Sequence, residues 1–118
     1  MTTLQEIEMF NEITARMRLV FADKRQDYGP TTTETVEKFG LGAMLVRMYD
    51  KMGRLYNLLV KNTENHVGEK VEDTLLDLAN YAIITMIEMR NQEMKKKTKM
   101  QTRKEAQECL GESLQAKM

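Results

Sequence analysis

Apolar side chains recur at helical spacing along most of the chain. Ile7, Phe10, Ile13, Met17, Val20 and Phe21 share one face and predict a first helix from about Leu4 to Gln26. Thr3 with Glu6 three residues later predicts a capping box at its start, and Asp27-Tyr28-Gly29-Pro30 ends it. Pro disfavours helical geometry in the residue before it. Leu41, Leu45, Met48, Met52, Leu55 and Leu59 alternate steps of four and three, the stripe of a second helix ending near Lys61. Asn62 to Gly68 is a polar connection. A third helix then runs from Glu69 beyond Arg90, with Val71, Leu75, Leu78, Ala82, Met86 and Met89 on its stripe. Thr31 to Phe39 reads both ways: three threonines favour an extended entry, whereas Thr33 to Glu37 suits a turn of helix. A loop holding one helical turn is expected there. No repeat of solenoid length and no pair of strands is visible, so the class is all-α.

Length changes the picture. A chain of 118 residues fits one domain, and three long helices bury a core only marginally at this size. A fourth helix from a partner chain would complete a four-helix bundle, so a homo-oligomer, dimer or tetramer, is expected. Most of the eleven methionines read as soft filling for such interfaces. Residues 1–92 form the helical domain. Residues 93–118 form a charged C-terminal extension, helical or disordered, which begins with Lys95-Lys96-Lys97-Thr98-Lys99 and has little to bury.

Charge and composition mainly exclude. Eighteen basic and eighteen acidic groups cancel, which argues against strong sequence-blind binding to nucleic acid. The balance is uneven, with 11 basic and 14 acidic groups over residues 1–92, and 7 and 4 beyond. No apolar run approaches the ~20 residues that span a bilayer. The first ten residues lack a basic start and an apolar stretch, so the cytoplasm is the expected compartment, a host's if the chain is phage-encoded. One Cys, Cys109, cannot form an internal disulfide. With one His and no Gly-rich phosphate loop, His-based triads, Cys-built zinc sites and P-loop NTPases lack their parts.

The candidate chemistry lies on two helix faces. At about 100° per residue, Glu69, Glu72, Asp73, Asp77 and Asn80 crowd one side of the third helix. Two unit charges ~4 Å apart near a protein surface repel by about 4 kcal/mol, so such a row calls for cations. Mg²⁺ or Mn²⁺ suits oxygen ligands and phosphate partners. The plainer alternative is that acids near a helix start favour the macrodipole and face water. On the second helix Arg47, Asp50, Lys51 and Arg54 lie together. They are either salt-bridge partners of the acidic helix or a grip for a triphosphate, with Asp50 a fifth metal-binding carboxylate. Lys24, Asp27 and Tyr28 form a polar and aromatic corner where a nucleobase can stack, unless Tyr28 merely caps the bundle end. His66 reads as a loop residue.

These residues together carry a resemblance. Lys24-Arg25-Gln26-Asp27-Tyr28-Gly29, Gly42 with Arg47, Asp50-Lys51, Arg54-Leu55, and then Glu69, Glu72-Asp73-Thr74 and Asp77-Leu78-Ala79-Asn80-Tyr81-Ala82 resemble a helical domain found mainly in phages and associated with nucleotide modification. That domain is similar to the all-α MazG-type nucleoside triphosphate pyrophosphohydrolases. The resemblance covers roughly residues 5–90. It implies a metal-dependent cleavage of a canonical or modified (d)NTP to the monophosphate and pyrophosphate, in a bundle built from more than one chain. It places Glu69, Glu72, Asp73 and Asp77 in a metal-binding helix and Lys51 and Arg54 at the phosphates. The helix faces and the corner described above make Lys24, Asp27, Tyr28, Arg47 and Asn80 the further candidates to bind the nucleotide. In that chemistry a carboxylate free of metal accepts a proton from a bound water, and Glu72 is the candidate. Lys51 and Arg54 would stabilise charge on the leaving pyrophosphate. The pattern departs from MazG-type enzymes, which show Glu-x-x-Glu on one helix and Glu-x-x-Asp on the next: the second helix here offers only Asp50, and Glu34-Thr35-Val36-Glu37 has the first spacing but lies before that helix. A non-catalytic nucleotide-binding or signal-sequestering protein is the alternative, and a structural oligomerisation bundle is the second alternative.

Overall fold

A computed structural model of the chain describes residues 1–28, 30–61 and 69–116, with all side chains in them except those of residues 27, 28, 69, 70 and 113–116. The described residues form four α-helices and no strand: α1 Thr3–Tyr28, α2 Thr31–Phe39, α3 Gly42–Tyr56, a five-residue π-helical turn Asn57–Lys61, and α4 Glu69–Ala116. Contacts divide the chain into two units, Met1–Thr85 and Met86–Met118. The expected all-α class is what the chain adopts.

The start of α1 is fixed one residue earlier than the sequence pattern placed it. The Thr2 backbone N–H donates to Gln5 Oε1 at 2.8 Å, and the Gln5 N–H donates to Thr2 Oγ1 at 3.2 Å. This is the reciprocal arrangement of a capping box, made by Thr2 and Gln5 rather than Thr3 and Glu6. A Thr-x-x-Gln and a Thr-x-x-Glu overlap here, and local pattern does not choose between them.

The stretch from Thr31 to Phe39, expected as a loop with one turn, is a full nine-residue helix, α2. Pro30 precedes it and its carbonyl accepts from the Glu34 N–H at 3.0 Å, so its missing N–H costs nothing. Thr35 Oγ1 turns back onto the Thr31 carbonyl at 2.8 Å. The decisive term is tertiary, because Val36, 1% exposed, is buried. At the far end Gly40 takes φ +80° and ψ 178° and donates to the Val36 carbonyl at 2.7 Å. That conformation belongs to glycine almost alone.

The buried apolar residues of the first unit are few. Leu55, Leu58 and Val71 form a cluster with Leu78 against it, holding α3 and the π-turn to α4. Val36, Met44 and Leu76 are the other buried apolar side chains. The second predicted stripe is therefore split. Leu55 points inward, while Leu45, Met52 and Leu59 are exposed and Met44, off the stripe, is fully buried. Two apolar faces adjoin on α3, and periodicity alone does not tell which one the chain itself covers. On α1, Ile7, Phe10 and Ile13 are likewise exposed. In the second unit α4 continues as helix, with Met94, Met100 and Leu110 exposed and threonines 98 and 102 bonded to carbonyls four residues back.

Two glycines separate backbone strain from side-chain space, since a Cβ at either meets nothing within 4 Å. Gly40→Ala is expected to destabilise by about 1–3 kcal/mol through its positive φ. Gly53→Ala, inside α3, is expected to stabilise by up to about 1 kcal/mol through helix propensity. Urea denaturation of both variants checks the opposite signs.

Candidate functional site

Asp77 is where three helices meet. Its carboxylate accepts from Lys24 Nζ of α1 through Oδ1, and from Lys51 Nζ of α3 through Oδ2 at 3.2 Å. The carboxylate is 19% exposed. Burial pushes its pKa up, but hydrogen bonds from the two ammonium groups, with their charge, outweigh that and hold it below the ordinary aspartate value. One turn further along α4, the buried Asn80 donates from Nδ2 to the Met17 carbonyl of α1 at 3.3 Å. Further toward the N-terminus of α4, Arg16 of α1 spans both Glu72, at 3.0 Å, and Asp73, at 2.9 Å. These outer pairs are about half exposed, so each contributes little by itself.

Above the Asp77 node lies a cavity of about 400 Å³, within the size range of small-molecule sites. Helix α1 contributes Phe21, Lys24 and Arg25, and α2 contributes Thr31 and Thr32 from its first turn. Helix α3 contributes Arg47 and Lys51, one turn apart. Asn80, Tyr81 and Ile84 of α4 complete the wall. The lining thus joins four cationic side chains to two aromatic rings and an isoleucine. The Arg25 guanidinium stands 5.6 Å from the Phe21 ring centroid, within cation–π range. Arg47 makes no ion pair among the described residues. Cations and aromatic rings in one lining suit a ligand that carries both negative charge and a flat apolar group.

Residues 24–89 match the family model of nucleotide modification associated domain 1. The chain belongs to that family. The matched span holds Asp77 and every cavity-lining residue except Phe21. No curated protein and no solved structure matches the chain significantly.

Of the residues singled out in the sequence, the cavity brings together Lys24, Arg47, Lys51 and Asn80. Arg54 and Asp50 are exposed on α3 and do not line it. The side chains of Asp27, Tyr28 and Glu69 lie outside the described residues. Glu72 and Asp73 are engaged with Arg16, and Asp77 with the two lysines. No three His, Cys, Asp or Glu side chains among the described residues converge to hold a metal ion. In this arrangement Glu72, Asp73 and Asp77 are paired with protein cations, and a divalent ion held by these three would have to open those pairs.

Sequence reasoning passed over Thr31 and Thr32, hidden by the loop expected there. It also passed over Arg16, whose partners are more than fifty residues away. Phe21 read as core. A retrievable signal existed on α4, where Asp77, Asn80, Tyr81 and Ile84 follow one helical stripe.

A depressed carboxylate pKa contributes stability above the unfolded value and loses it as pH falls through the folded one. Asp77→Asn is therefore expected to cost on the order of 1 kcal/mol at neutral pH. The difference from wild type should close as pH falls below about 4. Urea titrations across that range measure it, and a gap that stays constant into strong acid contradicts the ion-pair account.

Proposed function

We propose that the protein binds a nucleoside triphosphate, canonical or modified, in the cavity above Asp77. The observation that carries this reading is the convergence of Lys24, Arg25, Arg47 and Lys51 with Phe21 and Tyr81 around one opening. All of these except Phe21 stand within the span matched to a nucleotide modification associated family. Arg suits bidentate phosphate contacts and Lys a point-charge contact. Phe21 and Tyr81 supply aromatic faces for the base. A zero net charge and a local pocket of cations favour a small anionic ligand over a nucleic-acid strand.

Cleavage to the monophosphate and pyrophosphate is a second reading, supported by the resemblance to MazG-type enzymes. There a divalent ion would supply charge neutralisation and an acidified water. Glu72 would accept the proton, and Lys51 and Arg54 would face the leaving group. This reading requires Glu72 to leave Arg16 and Asp77 to leave its lysines, so binding without turnover is the form that the geometry favours.

The partner expected from the sequence is a second copy of the chain. Leu45, Tyr49, Met52 and Tyr56 are all more than half exposed on α3. Their steps of four, three and four make the seam that two copies of a helix form.

Two measurements test these readings. Arg47→Ala and Lys51→Ala are each expected to weaken binding of a dNTP by about tenfold or more, since a hydrogen bond to a charged group contributes roughly 1.5–3 kcal/mol. Calorimetry on variants with unchanged circular dichroism reads that loss, and pyrophosphate release with Mg²⁺ or Mn²⁺ would establish turnover. Light scattering of the purified chain is expected to give a multiple of 13.8 kDa, which Tyr49→Glu with Met52→Glu reduces to the monomer. A monomeric wild type at micromolar concentration overturns the proposed seam.

A further inference from the structure

We infer that the cavity takes the phosphates directly, with no divalent ion between protein and ligand, and that Asp77 is a built-in counter-anion that the polyphosphate displaces from Lys24 and Lys51. The inference rests on the nucleotide-binding reading and adds the form in which the ligand binds.

It follows from how charge is distributed around the node. A metal ion brought to Asp77 would stand beside two ammonium groups bonded to that same carboxylate, and both would repel it. The next acids along α4, Glu72 and Asp73, are spanned by Arg16 and supply no further ligand there. Hard divalent ions need several oxygen ligands at once, and no such set converges among the described residues. The cavity wall is instead cationic on two helices: Lys24 and Arg25 on α1, and Arg47 with Lys51 one turn beyond it on α3. Lys24, Lys51 and Arg47 outnumber the one carboxylate held between the lysines, which leaves net positive charge for a polyphosphate.

Asp77 has a definite task in this arrangement. Without it, Lys24 and Lys51 would repel each other across the opening. With it, the two lysines that line the cavity are drawn to one carboxylate beside it, where arriving phosphate oxygens can replace the carboxylate oxygens. Asp77 is thus a positioning residue with an affinity cost. A metal ligand in its place would have the opposite influence on binding, and this makes the two roles separable.

The test is calorimetric titration of the full chain with each of the four common dNTPs and with inorganic tripolyphosphate, once in excess EDTA and once in millimolar Mg²⁺. Wild type is expected to bind at least one dNTP as tightly in EDTA as in Mg²⁺, since the metal-free ligand carries more negative charge. Asp77→Asn is expected to bind tripolyphosphate about fivefold tighter, because the negative charge paired with Lys24 and Lys51 has gone. Binding that falls tenfold or more in EDTA, or an Asp77→Asn variant that binds more weakly, overturns this inference and leaves the nucleotide reading in place. No heat with any ligand in either buffer overturns both. Should Asp77→Asn fail to fold, the wild-type comparison between EDTA and Mg²⁺ decides alone.

Discussion

Asp77 between Lys24 and Lys51 is the contact through which α1, α3 and α4 meet at one point. The apolar core reaches only part of this assembly. Leu55, Leu58 and Val71 hold α3 and the π-turn to α4, but α1 has no buried side chain of its own among the described residues. Helix α1 is fastened by polar means: Lys24 to Asp77, Arg16 to Glu72 and Asp73, and the Met17 carbonyl to Asn80. Such contacts are directional. They fix which face of α1 looks at α4, where a few exposed apolar residues would leave its rotation open.

The same polar ladder produces the cavity. Once Lys24 is drawn to Asp77, Phe21 and Arg25, three residues before and one after, are placed on the wall. Once Lys51 is drawn there from the other side, Arg47 follows one turn away. Short helix α2, held by Val36 in the core and stopped by Gly40, contributes Thr31 and Thr32 to the opening. Stability and ligand chemistry therefore draw on the same side chains. Polyphosphate binding as proposed would use the protein's own structural ion pairs, with the cations held ready and part of their attraction given up to the internal anion.

Membership in the nucleotide modification associated domain 1 family agrees with where this cavity lies, since its walls fall within the matched span except for Phe21. None of the helices in the described residues is long and apolar enough to cross a membrane.

Much was legible from residue order alone. The all-α class, the long first helix and the start of the last follow from 3.6-residue periodicity and from the scarcity of proline, because helix formation answers to local spacing. Lys24, Arg47, Lys51 and Asn80 could be singled out by type and by helical face. Their common destination could not. Whether the acidic face of α4 meets metal or lysine depends on which helix packs beside it, and that is decided by contacts between residues twenty-six and fifty-three positions apart. Periodicity also left open which of two neighbouring apolar faces of α3 turns inward, Met44 with Leu55 or Leu45 with Met52, and whether the threonines at 31–33 coil or extend. Burial of Val36 decided the second and packing on α4 the first, because in both cases the local preferences are nearly balanced and a tertiary contact tips them.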